Sequence, residues 1–382
     1  MKLLLYDMGT YTQRDIMATL DEMGIEYRNI VYKLKDLAQD AYFEKRVREL
    51  LERERYDAVF SVNYFPVLAR LCNQEKIPYL SWSYDSPLNI PDIEQTLGLP
   101  VNRVFFFDRA ECKKYWRKGY ENIFHLPLAV CTQRLDTVEL TEEDWKSYRT
   151  DISMVGQLYE TSLPVLMQPL SEYDKGYLSA VIETQLKLYG SYFLEGAVTE
   201  ELLERMNAAY AQVGQNRTTL TKSGLVVAMA KHITHMERLL LLDILSSEHE
   251  VQLYGPGTDP TLERVRWRGS ADYFEMMPRI FKASKINLNV SLKCIESGIP
   301  LRALDIMGCG GFLLTNYQPE IAEHFVDGEE LVMYTSLQDA AEKCRYYLAH
   351  EAERKEIAEA GYKKVQSLFG YRERLETILK TI

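Results

Sequence analysis

Short apolar segments alternate with helix-length stretches along most of this chain, and that alternation constrains the fold more than any other feature. In the first third the apolar runs fall at residues 2–7, 26–31, 58–62, 77–82, 103–107 and 122–126, with helical stretches between them. Pro66 opens one of those helices, where proline is tolerated because N–H groups of the first turn lack partners anyway. Strands joined by helices of this length form βαβ units, and such units build parallel sheets covered on both faces. Residues from about 127 to 149 are polar, lack a strong period and read as a linker. A second strand series then runs through 152–156, 251–254, 265–267, 286–290, 312–315 and 331–334. A helical stretch rich in Leu, Glu and Tyr, about residues 163–230, interrupts it, and long helices fill 337–382. A chain of 382 residues exceeds the size at which one hydrophobic core stops growing. The expectation is therefore an α/β protein of two Rossmann-like domains, residues 1–150 and 151–368, followed by a terminal helix at 369–382.

Composition removes several function classes. A net charge of −11, with no dense Lys/Arg block, argues against a nucleic-acid partner. The six cysteines form no CxxC pair and read as small buried hydrophobes of a reducing compartment, which points to the cytoplasm. The apolar run at Leu3–Tyr6 is too short for a signal-peptide core, and no run approaches membrane-spanning length. No GxGxxG, GxxxxGK[ST] or GxSxG motif supports a dinucleotide cofactor, an NTPase or an esterase. His232 and His235 have helical spacing but no third ligand, and there is no Asp-x-Asp pair, so no metal is expected.

The most informative segment is 285–325. A strand leads through the loop LKCIESGIP into a short helix, LRALDIMG, then Cys309-Gly310-Gly311, a further strand, and Asn316-Tyr317-Gln318-Pro319-Glu320. Ligands of open parallel sheets bind beyond the carboxyl ends of strands, beside helix N-termini whose free N–H groups favour anions. Arg302 in the first turn of that helix opposes the dipole and so reads as serving an anion. Asp305 lies one turn on, where a carboxylate can accept bonds from ribose hydroxyls. Gly310 and Gly311 read as either a plain tight turn or a place for close backbone approach.

The stretches LRALDIMGCGGFLLTNYQPEIAEHFVDGEELVMY and YYLAHEAERKEIAEAGYKKV resemble the C-terminal domain of CgeB-like, group 1 glycosyltransferases of the GT-B fold. SVNYFP, SWSYDSP and HLPLAV resemble the N-terminal domain that accompanies it. The resemblance implies two Rossmann-like domains facing a cleft and a last helix, 371–382, that crosses back to the first domain; the helical stretch at about 163–230, which the resemblance does not cover, reads as an insertion in the second. It implies a nucleotide sugar held by the C-terminal half and an acceptor (protein, glycan or small molecule) presented by the N-terminal half. Asp305 then stands where a glutamate usually contacts the donor ribose, and Ser297 where many relatives have a second glutamate. Gly156 belongs to the implied phosphate-facing loop, and Arg268-Gly269 to the loop beside the base. Asn316, Tyr317 and Glu320 complete the implied donor side, together with Gly9 after the first strand.

An inverting transfer needs a base for the acceptor hydroxyl. Asp85, in the strand-end loop Ser83–Pro87, is the candidate catalytic residue, with a turn-capping role as the alternative. Asn63, Tyr64 and His125, at other strand ends of the first domain, are acceptor-side candidates. The tyrosine-rich helical stretch reads as an acceptor pocket or a homodimer face. A nucleotide-sugar epimerase, a non-catalytic sugar-nucleotide binder and a scaffold stay open beside the transferase.

Overall fold

The computed structural model describes the chain except for residues 89, 91–92, 160 and 214–218. The chain divides into two compact units, Met1–Thr132 with Val365–Ile382, and Gln133–Lys364. Each unit holds one parallel sheet, of six strands among the described residues.

In the first unit the strands are β1 (Lys2–Asp7), β2 (Glu26–Val31), β3 (Ala58–Val62), β4 (Tyr79–Ser83), β5 (Asn102–Phe106) and β6 (Ile123–His125). Their order is β2-β1-β3-β4-β5-β6. β3 and β4 are buried at every residue, as expected of central strands with helices on both faces. Tyr6, Phe43, Phe65, Leu68 and Phe106 lie in the core of this unit. The terminal helix Tyr371–Leu379 belongs to it and packs on the Thr12–Glu22 helix. The Phe369 carbonyl accepts from Val130 N–H at 2.9 Å, and Arg103 Nε donates to the Thr381 carbonyl at 3.2 Å.

In the second unit the strands are β7 (Thr150–Val155), β8 (Val251–Tyr254), β9 (Arg266–Trp267), β10 (Ser284–Asn289), β11 (Leu313–Asn316) and β12 (Val332–Tyr334). Their order is β12-β11-β10-β7-β8-β9. Residues 133–149 pack with this unit: Lys282 Nζ donates to the carbonyls of Leu135 and Val138 at 2.8 and 2.7 Å.

The helical stretch is not one rod. It comprises Leu163–Met167, Glu172–Lys187, Leu194–Ala197, Glu200–Gln212 and the start of Lys222–Ser246, while residues 214–218 lie outside the described ones. Local chemistry sets the breaks. Thr199 and Thr221 cap new helices, accepting from Leu202 and Gly224 N–H, and Gly190 takes φ +73° in the turn before Leu194. The Lys222–Ser246 helix joins two bodies of the unit. Its first half lies in a helical core with Leu178, Met206 and Met229, and its second half covers the sheet through Leu241 and Leu245.

In both sheets the chain order reverses once, between β1 and β3 and between β7 and β10. The crevice at the carboxyl end of such a reversal is where doubly wound sheets bind ligands.

Candidate functional site

At the reversal in the second unit, β7 runs out into Gly156–Tyr159 and β10 into Val290-Ser291. Arg238, from the Lys222–Ser246 helix, spans the two ends: Nη1 donates to the Gln157 carbonyl and Nη2 to the Val290 carbonyl. Its guanidinium also lies 4.9 Å from the centre of the Tyr159 ring. Gly156 suits this loop because a Cβ there would come within 3.3 Å of Arg238 Nη1. Arg238 is only 8% exposed, and desolvation pulls its pKa down, with the Arg302 charge pushing the same way.

Beside it Glu237, with no exposed surface, takes the Tyr189 and Tyr334 hydroxyls at 3.0 and 3.2 Å. Lys293 Nζ lies 2.7 Å from its other oxygen and 4.4 Å from the Tyr189 ring centre. The β10-to-helix loop is thereby tied to the helical body, whose core also takes in Cys294.

The Leu301–Gly308 helix starts at the carboxyl end of β10, after Pro300. Arg302 in its first turn rests 5.7 Å from the centre of the Phe281 ring and 3.5 Å from Asp305 Oδ2, beside the Met277 sulfur. Asp305 is buried, and the Tyr273 hydroxyl donates to its Oδ1 at 2.9 Å. Its carboxylate is thus engaged from inside the protein. Ser297 Oγ donates to Glu320 Oε1 at 2.7 Å, so the position of the absent glutamate is linked to the one carboxylate at the next helix start. Asn316 Oδ1 accepts Ser291 N–H at 2.7 Å, fixing the turn after β10. Tyr317 lies against Gly190, leaving no room for a side chain there. Arg268 donates to the Ser147 carbonyl at 3.2 Å, and the Gly269 carbonyl takes Gly255 N–H at 2.9 Å, at the β8–β9 margin.

Gly310 and Gly311 are not part of this gathering. They follow the far end of an eight-residue helix, about 12 Å from its start at 1.5 Å per residue. Gly310 reverses the chain at φ +71°, and Gly311 packs where a Cβ would strike the Asn287 side chain. Their role is to close the helix onto β11.

In the first unit the structure brings Gly9, Asn63 and Asp85 to strand carboxyl ends. Gly9, at φ +91°, donates its N–H to Asp7 Oδ1 at 2.7 Å. Asn63, at φ +64°, donates from Nδ2 to Asp85 Oδ2 at 2.7 Å and accepts the Tyr84 and Asp85 N–H groups. Asp85 is an exposed residue, yet its carboxylate is crowded by the surrounding loops. That desolvation raises its pKa, with the Asn63 amide opposing the rise. Tyr64 corrects the acceptor-side reading: it has no exposed surface, and its hydroxyl is spent on Thr96 at 3.0 Å. His125 ends β6 with Nε2 3.2 Å from the Phe107 carbonyl.

Sequence reasoning missed two features. Arg238 stands beside Glu237 at the head of an apolar run, MERLLLL, a pattern that signals charges carried into a buried helix face but not their partners. Glu111 is buried beneath the Asp85 loop, where its carboxylate accepts Ser86 Oγ at 2.8 Å and Leu88 N–H at 3.2 Å. Burial, with nearby Asp108, raises its pKa to about 7. Among the described residues no group of three or more His, Cys, Asp or Glu is placed to hold a metal ion, and no helix is long and apolar enough to cross a membrane.

Residues 235–380 match the family model described as glycosyl transferase-like. No curated protein sequence matches the chain. Among solved structures the chain is similar to HepE from Anabaena in complex with UDP and glucose (TM-score 0.59, 11% identity, 100% of each chain covered). It is also similar to sucrose-phosphate synthase from Thermosynechococcus elongatus (0.58, 10% identity, 100% of this chain and 98% of that one). A glycosyltransferase from Rickettsia africae gives 0.55 at 11% identity, with 100% and 97% covered. In sequence over residues 235–380, and in the GT-B fold of two Rossmann-like units over its full length, this chain is similar to glycosyltransferases.

Proposed function

We propose that the protein transfers a sugar from a nucleoside-diphosphate donor to a hydroxyl acceptor without a metal ion, in the manner of CgeB-like group 1 glycosyltransferases of the cytoplasm. The observation that carries this reading is the reversal point of the second sheet. A helix N-terminus with Arg302 in its first turn begins there, on the strand whose end Arg238 also holds. Cations and a helix N-terminus suit a diphosphate, and they stabilise it as a leaving group. Asp305 and Tyr273 then lie beside the donor nucleoside.

In the transfer, the acceptor oxygen bonds to the anomeric carbon as the bond from that carbon to the diphosphate oxygen breaks. The hydroxyl proton passes to a carboxylate, and we assign Asp85 to that role, since crowding makes it a stronger base than an open aspartate. A protein, a glycan or a small molecule can supply the hydroxyl. The complex of HepE with UDP and glucose makes uridine diphosphate the first nucleotide to try.

The test is a thermal-shift panel of nucleoside diphosphates and their sugars, run with magnesium and with EDTA. A ligand that binds only the folded state must raise the melting temperature. The expected result is a shift with one nucleotide series that EDTA leaves intact and Arg302→Ala diminishes. No shift with any member would sink the donor site. A shift without turnover on any acceptor would favour a non-catalytic binder.

A further inference from the structure

Glu111 is a buried carboxylate that its own helix does not use. It stands in the first turn of the Arg109–Trp116 helix, whose N-terminus Asp108 already caps by accepting Ala110 N–H at 3.0 Å. It is only 5% exposed, and a carboxylate is costly to bury unless its oxygens find donors. Both oxygens find one, and both donors lie across on another segment: Oε2 takes Ser86 Oγ at 2.8 Å and Oε1 takes Leu88 N–H at 3.2 Å. Ser86 directly follows Asp85, and Leu88 closes the same loop. Ahead of Ser86 the loop is held by Asn63, which accepts Tyr84 and Asp85 N–H and donates to the Asp85 carboxylate. The loop is thus clamped on both sides of Asp85, by the end of β3 before it and by Glu111 after it.

We propose that Glu111 is the positioning residue for Asp85: it holds the loop so that the Asp85 carboxylate stands where the acceptor hydroxyl gives up its proton. This deepens the transferase reading and rests on its assignment of Asp85 as the base. Among the described residues the charged groups facing Glu111 are Asp108, at the start of its helix, and Lys114 within it. Asp108 Oδ2 also lies 3.3 Å from Ser86 Oγ, so that hydroxyl has two carboxylates in reach and one proton to give. A glutamine at 111 can therefore keep the clamp. Its amide N–H donates to Ser86 Oγ, whose proton turns to Asp108, and its oxygen keeps Leu88 N–H. A leucine fills the space and keeps neither bond.

Two measurements test this on the full chain, each variant first checked for an intact thermal transition. The first needs no substrate: the carbon-13 carboxyl resonance of Asp85, assigned by its absence in Asp85→Asn, is followed through a pH titration. Crowding by the loop holds the Asp85 pKa up, so Glu111→Leu should bring the midpoint down towards that of an open aspartate, and Glu111→Gln should leave it in place. The second is release of uridine diphosphate from UDP-glucose with water as the acceptor. Glu111→Leu should lower turnover about 10²-fold, the cost of a group displaced by about 1 Å, while Glu111→Gln retains it. Affinity for uridine diphosphate should stay unchanged, and the loss should vanish when Glu111→Leu is combined with Asp85→Asn, because residues acting through one group are not additive. A folded leucine variant whose Asp85 titrates as in the wild type, or whose loss persists beside Asp85→Asn, would overturn the role of Glu111. Equal turnover in wild type and Asp85→Asn, with the midpoint moved by Glu111→Leu, would bring down Asp85 as the base and leave the clamp standing. If the wild type does not turn over UDP-glucose, the titration decides alone. Should the leucine variant not fold, Ser86→Ala, which removes one of the two donors, must move the Asp85 midpoint in the same direction, and a fixed midpoint refutes the proposal.

Discussion

The two units share an architecture but differ in the charge they place at the carboxyl ends of their central strands. In the first, the ends of β3 and β4 carry Asn63 and the crowded Asp85, with the buried carboxylates of Asp108 and Glu111 beneath the Asp85 loop. In the second, the ends of β7 and β10 are spanned by Arg238, with Arg302 nearby and Lys293 behind. A doubly wound sheet supplies the same crevice in both cases, and side chains decide whether an anion or a proton is at home there. A unit rich in desolvated carboxylates is suited to taking a proton, and one with a surplus buried cation to holding phosphate.

The largest expected effect separates the units directly. Asp85→Asn should lower turnover by about 10²- to 10⁴-fold, the usual worth of a general base, while leaving nucleoside-diphosphate affinity unchanged. Initial rates beside a binding isotherm check this, and equal losses in both would assign Asp85 to binding instead.

Next in size is the buried pair of the second unit. Glu237→Leu strands Lys293 without its partner and should cost about 3–5 kcal/mol in chemical denaturation, whereas adding Lys293→Met should recover most of that loss. A double variant no more stable than the single would show that the two charges do not act as a pair.

The smallest effect is pH-dependent and belongs to the first unit. Glu111 has its pKa raised from 4.5 to about 7, so the fold binds its proton more tightly than the unfolded chain does. The stabilisation is fully present below about pH 4.5 and is lost as pH rises through 7. At about 1.4 kcal/mol per pH unit, that is roughly 3 kcal/mol in all. Glu111→Gln, which stays neutral, should flatten this part of the stability profile between pH 5 and 8. A profile unchanged by the substitution would place the titration elsewhere.

Much of the fold was legible because it rests on local pattern. The apolar runs at 2–7, 26–31 and 58–62 became β1, β2 and β3 with the same limits, since alternation of strand and helix leaves few ways to bury both faces of a sheet. The short helix that carries Arg302 in its first turn and Asp305 in its second was legible from the local pattern LRALDIMG. Arg238 was legible only as a charge in an apolar helix: its partners are 81 and 52 residues away, and nothing local to the helix announces them. Tyr64 misled because it adjoins Asn63. The positive φ of Asn63 turns the chain there, and the tyrosine that follows points into the core.

The sequence by itself determined two α/β units, a helical elaboration in the second, and the short helix that carries Arg302 and Asp305. Periodicity and helix-end chemistry act over a few residues, and so they can be read along a line. Only the tertiary structure decided which charges are buried together: Glu237 with Lys293, Arg238 across two strand ends, Glu111 under the Asp85 loop. Burial changes the worth of a charge by removing water from it, and water is removed by segments that meet only when the chain has folded.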